Sequence, residues 1–242
     1  MQTPTAAMLV IGDEILSGRT RDSNMHFLAR ALTDHGIRLA EARVVPDIHD
    51  RIKQAVQSLS AAYDHVFTSG GIGPTHDDIT ADAVADAMGA AIDVRADARA
   101  ILQAHYDARG QELNAARLRM ARIPDGAALI DNPVSAAPGF SLGNVHVMAG
   151  VPSIFEAMVA SVLPRLTGGP PLLSQSLRVL WPEGEIAEAL GRVAAAHPEV
   201  SIGSYPFTLN GAQGSNVVVR SQDGAAIDGV MAELSRLFPD PA

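Results

Sequence analysis

Apolar residues in the first part of the chain alternate between short continuous runs and segments of helical spacing. Residues 6–11 are a continuous apolar run, which predicts a strand buried on both faces of a largely parallel sheet. Met25, Leu28 and Leu32 then recur at helical spacing, and Gly36 is a typical C-terminal stop for a helix. The chain is therefore predicted to begin with a βα unit.

The same two patterns repeat along the chain. Further strands are predicted at 37–45, 65–68, 127–130 and 145–148. Further helices are predicted around 52–59, at 80–88, at 96–121 with a break at Gly110, and at 153–162. Alternating strands and helices with right-handed crossovers predict a doubly wound α/β sheet, whose ligands bind at the carboxyl ends of the strands.

The pattern breaks at residues 163–171, a segment rich in proline and glycine that suits neither a helix nor a strand. We therefore predict two domains, residues 1–168 and residues 172–242. In the second domain, strands are predicted at 176–181, 200–205 and 216–220, and helices at 185–196 and 226–237. This order predicts a small α+β module.

The composition excludes several classes of protein. The 242 residues carry a formal net charge of −9 with scattered Lys and Arg, so we expect no nucleic-acid partner. The chain has no cysteine, which excludes disulfides and thiolate metal sites and is compatible with a reducing cytosol. No apolar run is long enough to span a bilayer, and the first residues lack the basic head of a secretory signal. We expect a soluble cytoplasmic protein that does not bind membranes.

The most informative segment is residues 69–80, which connect a predicted strand to a predicted helix and read SGGIGPTHDDIT. Its glycines lack a Cβ, so a ligand can approach the backbone N–H groups closely. Amides at a strand-to-helix turn suit an anionic group such as a phosphate. An ordinary connection needs only one capping residue, and this segment exceeds that need, so we favour a ligand site. The candidate phosphate-binding residues here are Ser69, Gly70, Gly71, Ile72, Gly73, Pro74, Thr75 and Thr80.

Two adjacent carboxylates, Asp77 and Asp78, follow the glycines. They would repel a bare phosphate, so we infer that Mg²⁺ or another divalent cation stands between them and the ligand. The expected ligand is a metal-bound small molecule that carries phosphate.

Other loops are candidates for the same site. Asp13 and Glu14 follow the first strand and would lie beside the glycine turn if the first and third strands are neighbours; solvated loop carboxylates are the alternative. Asn24 either hydrogen-bonds a ring or ribose of the ligand or simply begins a helix. The loop before the last helix of this domain offers further amides for phosphate, although a plain turn has the same pattern. Its residues are Gly150, Val151, Pro152 and Ser153.

Four segments together resemble the molybdopterin-binding fold of MoaB and MogA proteins, and most closely the N-terminal region of competence-damage-inducible protein A (CinA). These segments are 12–16, 69–80, 132–140 and 150–153, and they occur in the family's order. The domain also resembles the N-terminal part of animal FAD synthases. The module after Pro171 resembles the domain that follows it in CinA proteins.

The resemblance implies a three-layer α/β/α domain with a mainly parallel sheet, in a homo-oligomer that is a dimer or a trimer. It places one pocket between Asp13 and Glu14, the glycine turn and the loop that begins at Gly150. In that pocket Asp78 and Asp13 are the implied catalytic residues, and Asp78 with Asp77 holds the metal.

The resemblance also implies a metal-dependent pyrophosphatase that cleaves ADP-ribose or an FAD-like dinucleotide to AMP and a phosphate product. One alternative is a molybdopterin adenylyltransferase, as in MogA proteins. Another is a protein that binds a pterin or nucleotide phosphate without turning it over. Full-length CinA proteins continue into a nicotinamide-nucleotide deamidase domain, which this sequence lacks, so deamidase activity is expected to be absent.

Overall fold

The structure is a computed structural model that describes residues 3–209 and 211–239. The chain forms two compact units, which divide after Gly169. Each unit has its own hydrophobic core. Within the described ranges, no helix has both the length and the apolar character needed to cross a membrane.

The first unit alternates strands and helices. Its strands are β1 (Thr5–Ile11), β2 (Arg38–Val45), β3 (His65–Ser69), β4 (Ile92–Val94), β5 (Arg122–Pro124), β6 (Ala128–Ile130), β7 (Gly139–Leu142) and β8 (Val145–Met148). Its helices are α1 (Asp13–Leu16), α2 (Asn24–Asp34), α3 (His49–Ala62), α4 (Thr80–Met88), α5 (Ala96–Asp107), α6 (Ala115–Leu118) and α7 (Pro152–Val162). Short 3₁₀ helices lie at Arg119–Ala121 and Leu163–Arg165.

The main sheet of this unit has the strand order β2-β1-β3-β8-β7-β6. The strands β2, β1, β3 and β8 are parallel, and β7 and β6 are antiparallel to their neighbours. The sheet is therefore mainly parallel, as predicted. Met8 of β1 lies opposite both Ala42 and Phe67, so β1 and β3 are neighbours and their carboxyl ends meet at one edge.

Helices cover both faces of this sheet. Successive side chains of a strand point to opposite faces, and β1 buries both sets. Leu9 and Ile11 share a core with α3, α4 and α5, whereas Met8 and Val10 share a core with α2 and α7. This confirms the three-layer α/β/α arrangement.

Several short elements were not predicted correctly. The apolar pattern predicts no strand between residues 130 and 145, but Gly139–Leu142 forms β7 and pairs with β8. The strands β4 and β5 pair with each other in a separate ladder and were missed. The helical segment predicted at 96–121 is interrupted around Gly110, as predicted, but the interruption is long, because α5 ends at Asp107 and α6 begins at Ala115. Strands of three or four residues are too short to show a period, so only their partners reveal them.

The second unit is a small α+β module. Its elements are β9 (Leu173–Val179), α8 (Glu183–Ala196), β10 (Ser201–Leu209), β11 (Ala212–Ser221) and α9 (Gly224–Leu237). The sheet order is β10-β11-β9, with antiparallel pairing throughout. Val217 and Val219 of β11 share a core with Ile186 of α8 and Val230 of α9, so both helices cover the same sheet.

Candidate functional site

The turn after β3 packs so closely against neighbouring segments that only glycine fits at its first two positions. Gly70 and Gly71 have φ angles of 110° and 68°, which L side chains rarely adopt. A Cβ at Gly70 would overlap the carbonyl oxygen of Ile11, and a Cβ at Gly71 would overlap the hydroxyl of Thr80. The end of β1, the turn and the start of α4 are therefore in direct contact.

Asp78 holds the rest of this turn in place. Its Oδ2 accepts hydrogen bonds from the backbone N–H of Thr75 at 2.8 Å and from the Thr75 hydroxyl at 2.5 Å. A Cβ at Gly73 would lie 2.6 Å from the same oxygen, so glycine is also required there. The neighbouring Asp77 is exposed, and the side chain of His76 is 98% exposed. The turn thus presents Asp77 to solvent and uses one oxygen of Asp78 to fix its own shape.

A cluster of carboxylates lies at the carboxyl ends of the parallel strands. Oδ2 of Asp47 accepts a hydrogen bond from the backbone N–H of Asp13 at 2.9 Å, which joins the loops after β1 and β2. Burial raises the pKa of Asp47, and the nearby charges of Asp13, Glu14 and Asp77 raise it further, against the effect of that hydrogen bond. We refer to Asp13, Glu14, Asp47 and Asp77 as the acidic cluster.

The acidic cluster does not form a metal site by itself. Among the described residues, no three His, Asp or Glu side chains converge closely enough to hold an ion by themselves. Mg²⁺ usually takes only one or two carboxylates, keeps several waters and binds phosphate oxygens of the substrate. The cluster supplies oxygen ligands and excess negative charge, as its effect on the pKa of Asp47 shows. A cation at this edge would therefore need most of its ligands from water or from a bound phosphate.

Asn24 ties together two of the loops that sequence reasoning assigned to the site. Its side chain is buried, with the residue only 4% exposed, and its Nδ2 donates to Ser69 Oγ and to the carbonyl oxygen of Gly150, both at 2.8 Å. A Cβ at Gly150 would lie 3.2 Å from the Cα of Gly70, so the two loops are close. The Oδ1 of Asn24 is buried and accepts no hydrogen bond in the described part of the chain. Asn24 thus joins the loops after β3 and β8, and its amide nitrogen is already used within the protein.

The loop after β8 leads directly into α7. Pro152 occupies the first turn of that helix, a position that does not need its missing N–H. Val151, Pro152 and Ser153 are all exposed. Pro152 has no N–H, and the N–H groups of Ile154 and Phe155 donate to the carbonyl oxygen of Val151, so this helix start offers few amides to a ligand.

A second region, a small cavity, opens on the glycine turn. It has a volume of about 20 Å³. Its lining includes Gly71, Gly73 and Asp78 from the turn, and Asp82, Arg119 and Arg122 from elsewhere. Asp13, Glu14 and residues 150–153 do not line it. The resemblance implies one pocket between Asp13 and Glu14, the glycine turn and the loop at Gly150, and of these only the glycine turn lines this cavity.

The two arginines of the cavity were missed by sequence reasoning. Arg122 forms an ion pair with Asp82. Nη2 of Arg119 donates to the backbone carbonyl of Asp78 at 3.2 Å. Both arginines lie about forty residues beyond the turn and follow no motif, so only the fold brings them to it. Asp47 was also missed. Pro46 and Asp47 are typical of a turn and a helix cap, but α3 begins after Ile48 and has no side-chain cap.

The fold and the glycine turn define the class of protein. Residues 7–168 match the family described as "Probable molybdopterin binding domain". Residues 171–242 match the family described as "FAD synthase, middle domain". The first unit therefore belongs to that first family and to the α/β class, and a distinct smaller domain follows it.

Two curated relatives are similar to this chain over most of its length. A "Probable FAD synthase" from Caenorhabditis briggsae is 32% identical over 261 aligned residues, covering 98% of this chain and 50% of the relative. A "CinA-like protein" from Myxococcus xanthus is 33% identical over 209 residues, covering 81% of this chain and 50% of the relative. The chain spans about half the length of these two curated relatives.

A solved structure agrees with these relatives. It is the crystal structure of the protein CinA, of unknown function, from Thermoplasma acidophilum. It is 35% identical with a TM-score of 0.62, and the match covers 67% of this chain and 98% of that one. The chain belongs to the molybdopterin-binding-domain (MoaB/Mog) family, in its CinA-like group.

Proposed function

We propose that this chain is a metal-dependent pyrophosphatase that hydrolyses ADP-ribose or a similar dinucleotide such as FAD to AMP and a phosphate product. One observation supports the proposal: the glycine turn lies between the acidic cluster and a small cavity that is lined by two arginines and two aspartates. The carboxylates of the acidic cluster favour a cation, and the arginines of the cavity favour anionic oxygens. A diphosphate bound with a divalent metal meets both needs.

The residues of the site have separate roles in this proposal. Asp13 and Asp77 of the acidic cluster, together with Asp78, would hold the cation, and free amides of the glycine turn would orient the diphosphate. When bound, the metal polarises the phosphoryl oxygens and lowers the pKa of a bound water. The water oxygen bonds to one phosphorus, and the bridging oxygen leaves with the other phosphate. The reaction needs no oxidant and no co-reactant other than water.

The choice of a dinucleotide is supported by the second unit. Residues 171–242 match the middle domain of FAD synthase, and the relative that covers 98% of the chain is named a probable FAD synthase. A second candidate function is molybdopterin adenylyltransferase, supported by the match of residues 7–168 to a molybdopterin-binding domain. Both reactions take place at an adenylate phosphorus, so the same site serves either.

The test measures AMP release by chromatography after incubation with ADP-ribose or FAD and Mg²⁺, Mn²⁺ or Co²⁺. The variant is the double substitution Asp77→Asn and Asp78→Asn, which removes charge with little change in shape. The matched control is Asp34→Asn, an exposed aspartate at the other end of α2 from Asn24. We expect the wild type and the control to release AMP, and the double variant to be slower by about 100-fold or more.

Each other outcome points to a different function. Equal rates in the wild type and the double variant would remove both aspartates from the mechanism. Adenylylation of molybdopterin by ATP, with no cleavage of dinucleotides, would favour the second candidate. Tight nucleotide or pterin binding without any product would favour a binding protein.

We also propose that the chain forms a homo-oligomer, either a dimer or a trimer. Light scattering on the purified chain would test this.

A further inference from the structure

The strand β2 forms one edge of the six-stranded sheet, and its outer side is open. In the described part of the chain, β1 is its only neighbouring strand. The carbonyl oxygen of Val45 accepts a hydrogen bond from the N–H of Gly12, so the backbone groups of Val45 face β1. These groups alternate in direction along a strand, so those of Val44 and Ala42 point away from the sheet. Both residues are exposed, so their outward N–H and C=O groups are accessible to another strand.

Two opposite charges lie on either side of Ala42. Glu41 and Arg43 point to the same face of β2, and Oε1 of Glu41 forms an ion pair with Nε of Arg43. Oε2 of Glu41 also accepts a hydrogen bond from the Tyr63 hydroxyl at 2.7 Å. The side chains of Glu41 and Arg43 are still 31% and 38% exposed, so both charges remain accessible at the edge.

If β2 paired with a second copy of itself, these charges would restrict the register. Two identical antiparallel strands are related by a two-fold axis, and that axis passes through a residue, because opposed residues either both exchange backbone hydrogen bonds or both do not. An axis at Glu41 or at Arg43 would set like charges directly opposite each other, which is destabilising. An axis at Ala42 sets Glu41 of each copy opposite Arg43 of the other.

The neighbouring positions for the axis are also unsuitable. An axis at Val44 would set Ala42 opposite Pro46, which has no N–H to donate to the ladder. An axis at Ala40 would fall on a bulge, because Ala6 and Ala7 of β1 lie opposite Leu39 and Glu41 and the ladder omits Ala40. Charges and bulges usually protect an edge strand from pairing, and here they reject the other registers but favour the one centred on Ala42.

We propose that β2 pairs antiparallel with β2 of a second copy of this chain, about a two-fold axis at Ala42. Ala42 of each copy exchanges two backbone hydrogen bonds with Ala42 of the other, and a pair of opposite charges flanks the axis on each side. The two six-stranded sheets then form one continuous sheet of twelve strands. This inference rests on the proposed homo-oligomer, and it names β2 as the interface of a dimer.

The test measures the mass and the dissociation constant of the full chain by light scattering and sedimentation over a range of protein concentrations. The variants are Glu41→Arg and Arg43→Glu, each alone and in an equimolar mixture. The matched controls are Glu188→Arg and Arg192→Glu, which reverse the charges of an exposed ion pair whose Nη1 and Oε1 lie 2.6 Å apart.

Circular dichroism establishes that each variant is folded. Ala42→Lys serves if a charge-reversed variant is not, because Ala42 is exposed and the substitution sets two lysines opposite each other at the axis.

We expect the wild type and both controls to be dimers. Either reversal at β2 should weaken dimerisation by about 10- to 100-fold, because both flanking pairs become pairs of like charge. The mixture should recover the wild-type mass, because a dimer of one Glu41→Arg copy and one Arg43→Glu copy again has opposite charges in both pairs.

The outcomes separate this interface from the oligomer itself. A wild-type dimer or trimer that is unaffected by the reversals would overturn the inference and leave the proposed homo-oligomer standing. A monomeric wild type would contradict both. Weakened dimers that do not recover in the mixture would exclude the register centred on Ala42. The assay does not depend on AMP release, so the proposed pyrophosphatase activity stands or fails separately.

Discussion

Acidification from pH 6.5 to pH 4 should destabilise the first unit through His146. This histidine in β8 is 4% exposed, its Nδ1 lies 2.8 Å from Ser141 Oγ, and its Nε2 lies 3.3 Å from His65 Nδ1. Its ring centroid lies 4.9 Å from that of Phe67. The imidazole is therefore enclosed by an aromatic ring, a hydroxyl and a second imidazole, with no carboxylate among these contacts.

Burial, and then the charge of His65, lowers the pKa of His146 from 6.5 to about 4. The unfolded chain therefore binds a proton that the folded chain rejects, so stability is lost as the pH falls from 6.5 to about 4. One pKa unit corresponds to about 1.4 kcal/mol, so the full difference is worth about 3 kcal/mol of unfolding free energy. That is a large share of the unfolding free energy of a typical domain, which is about 5–15 kcal/mol.

The assay is urea unfolding at several pH values between 7 and 4, for the wild type and for His146→Asn. Asparagine keeps a polar atom near the position of Nδ1 but does not titrate. The control is His76→Asn, because the side chain of His76 is 98% exposed. We expect the unfolding free energy of the wild type and the control to fall by about 3 kcal/mol more than that of His146→Asn over this range.

An equal pH dependence in the wild type and in His146→Asn would refute the reasoning. An NMR titration of the imidazole signals gives an independent check, since His146 should protonate near pH 4. Burial also lowers the pKa of His65, which adds to the effect in the same direction and disappears in a His65→Asn variant. Burial raises the pKa of Asp47, which opposes both histidines near pH 4, so the comparison between variants matters more than the absolute slope.

Two further predictions concern the glycine turn and the acidic cluster. Gly71→Ala should lower the unfolding free energy by about 2–4 kcal/mol, because residue 71 has a positive φ and a Cβ there would overlap the Thr80 hydroxyl. Urea unfolding measures this loss, with Gly184→Ala as the control, because a Cβ at Gly184 meets open space. A loss no larger than that of the control would contradict the prediction. Asp47→Asn should raise the thermal midpoint at pH 7 and weaken Mg²⁺ binding, because it removes a charge that burial disfavours while keeping an acceptor for Asp13 N–H. Calorimetry with Mg²⁺ and a thermal scan test this pair of effects, and a lowered midpoint would show that the charged form is favoured.

Much of the fold was predictable because it depends on local patterns. The apolar run of β1 and the glycines after β3 are readable in the sequence, since strand burial and positive φ restrict the residue types directly. The position of Asp13 was predictable in the same way, because β1 and β3 are parallel neighbours, as the prediction required.

The remaining part of the site depends on contacts between distant segments. Asp47 joins the acidic cluster only because β2 pairs with β1, and Arg119 reaches the turn only because the segment before β5 packs beside α4. Neither residue lies in a motif. The separation of the acidic cluster from the cavity also could not be predicted from the sequence, because it depends on which loops leave space between them.

The tight fit around Gly70 and Gly71 limits how this family can diversify. Any side chain at either position meets the Ile11 carbonyl or the Thr80 hydroxyl, so new substrate preferences cannot evolve by decorating the turn itself. They must arise at neighbouring exposed positions such as Leu16 and Val151, which are 53% and 55% exposed. A directed-evolution library aimed at changing the ligand preference of this chain would therefore randomise those surface positions and leave the glycines untouched.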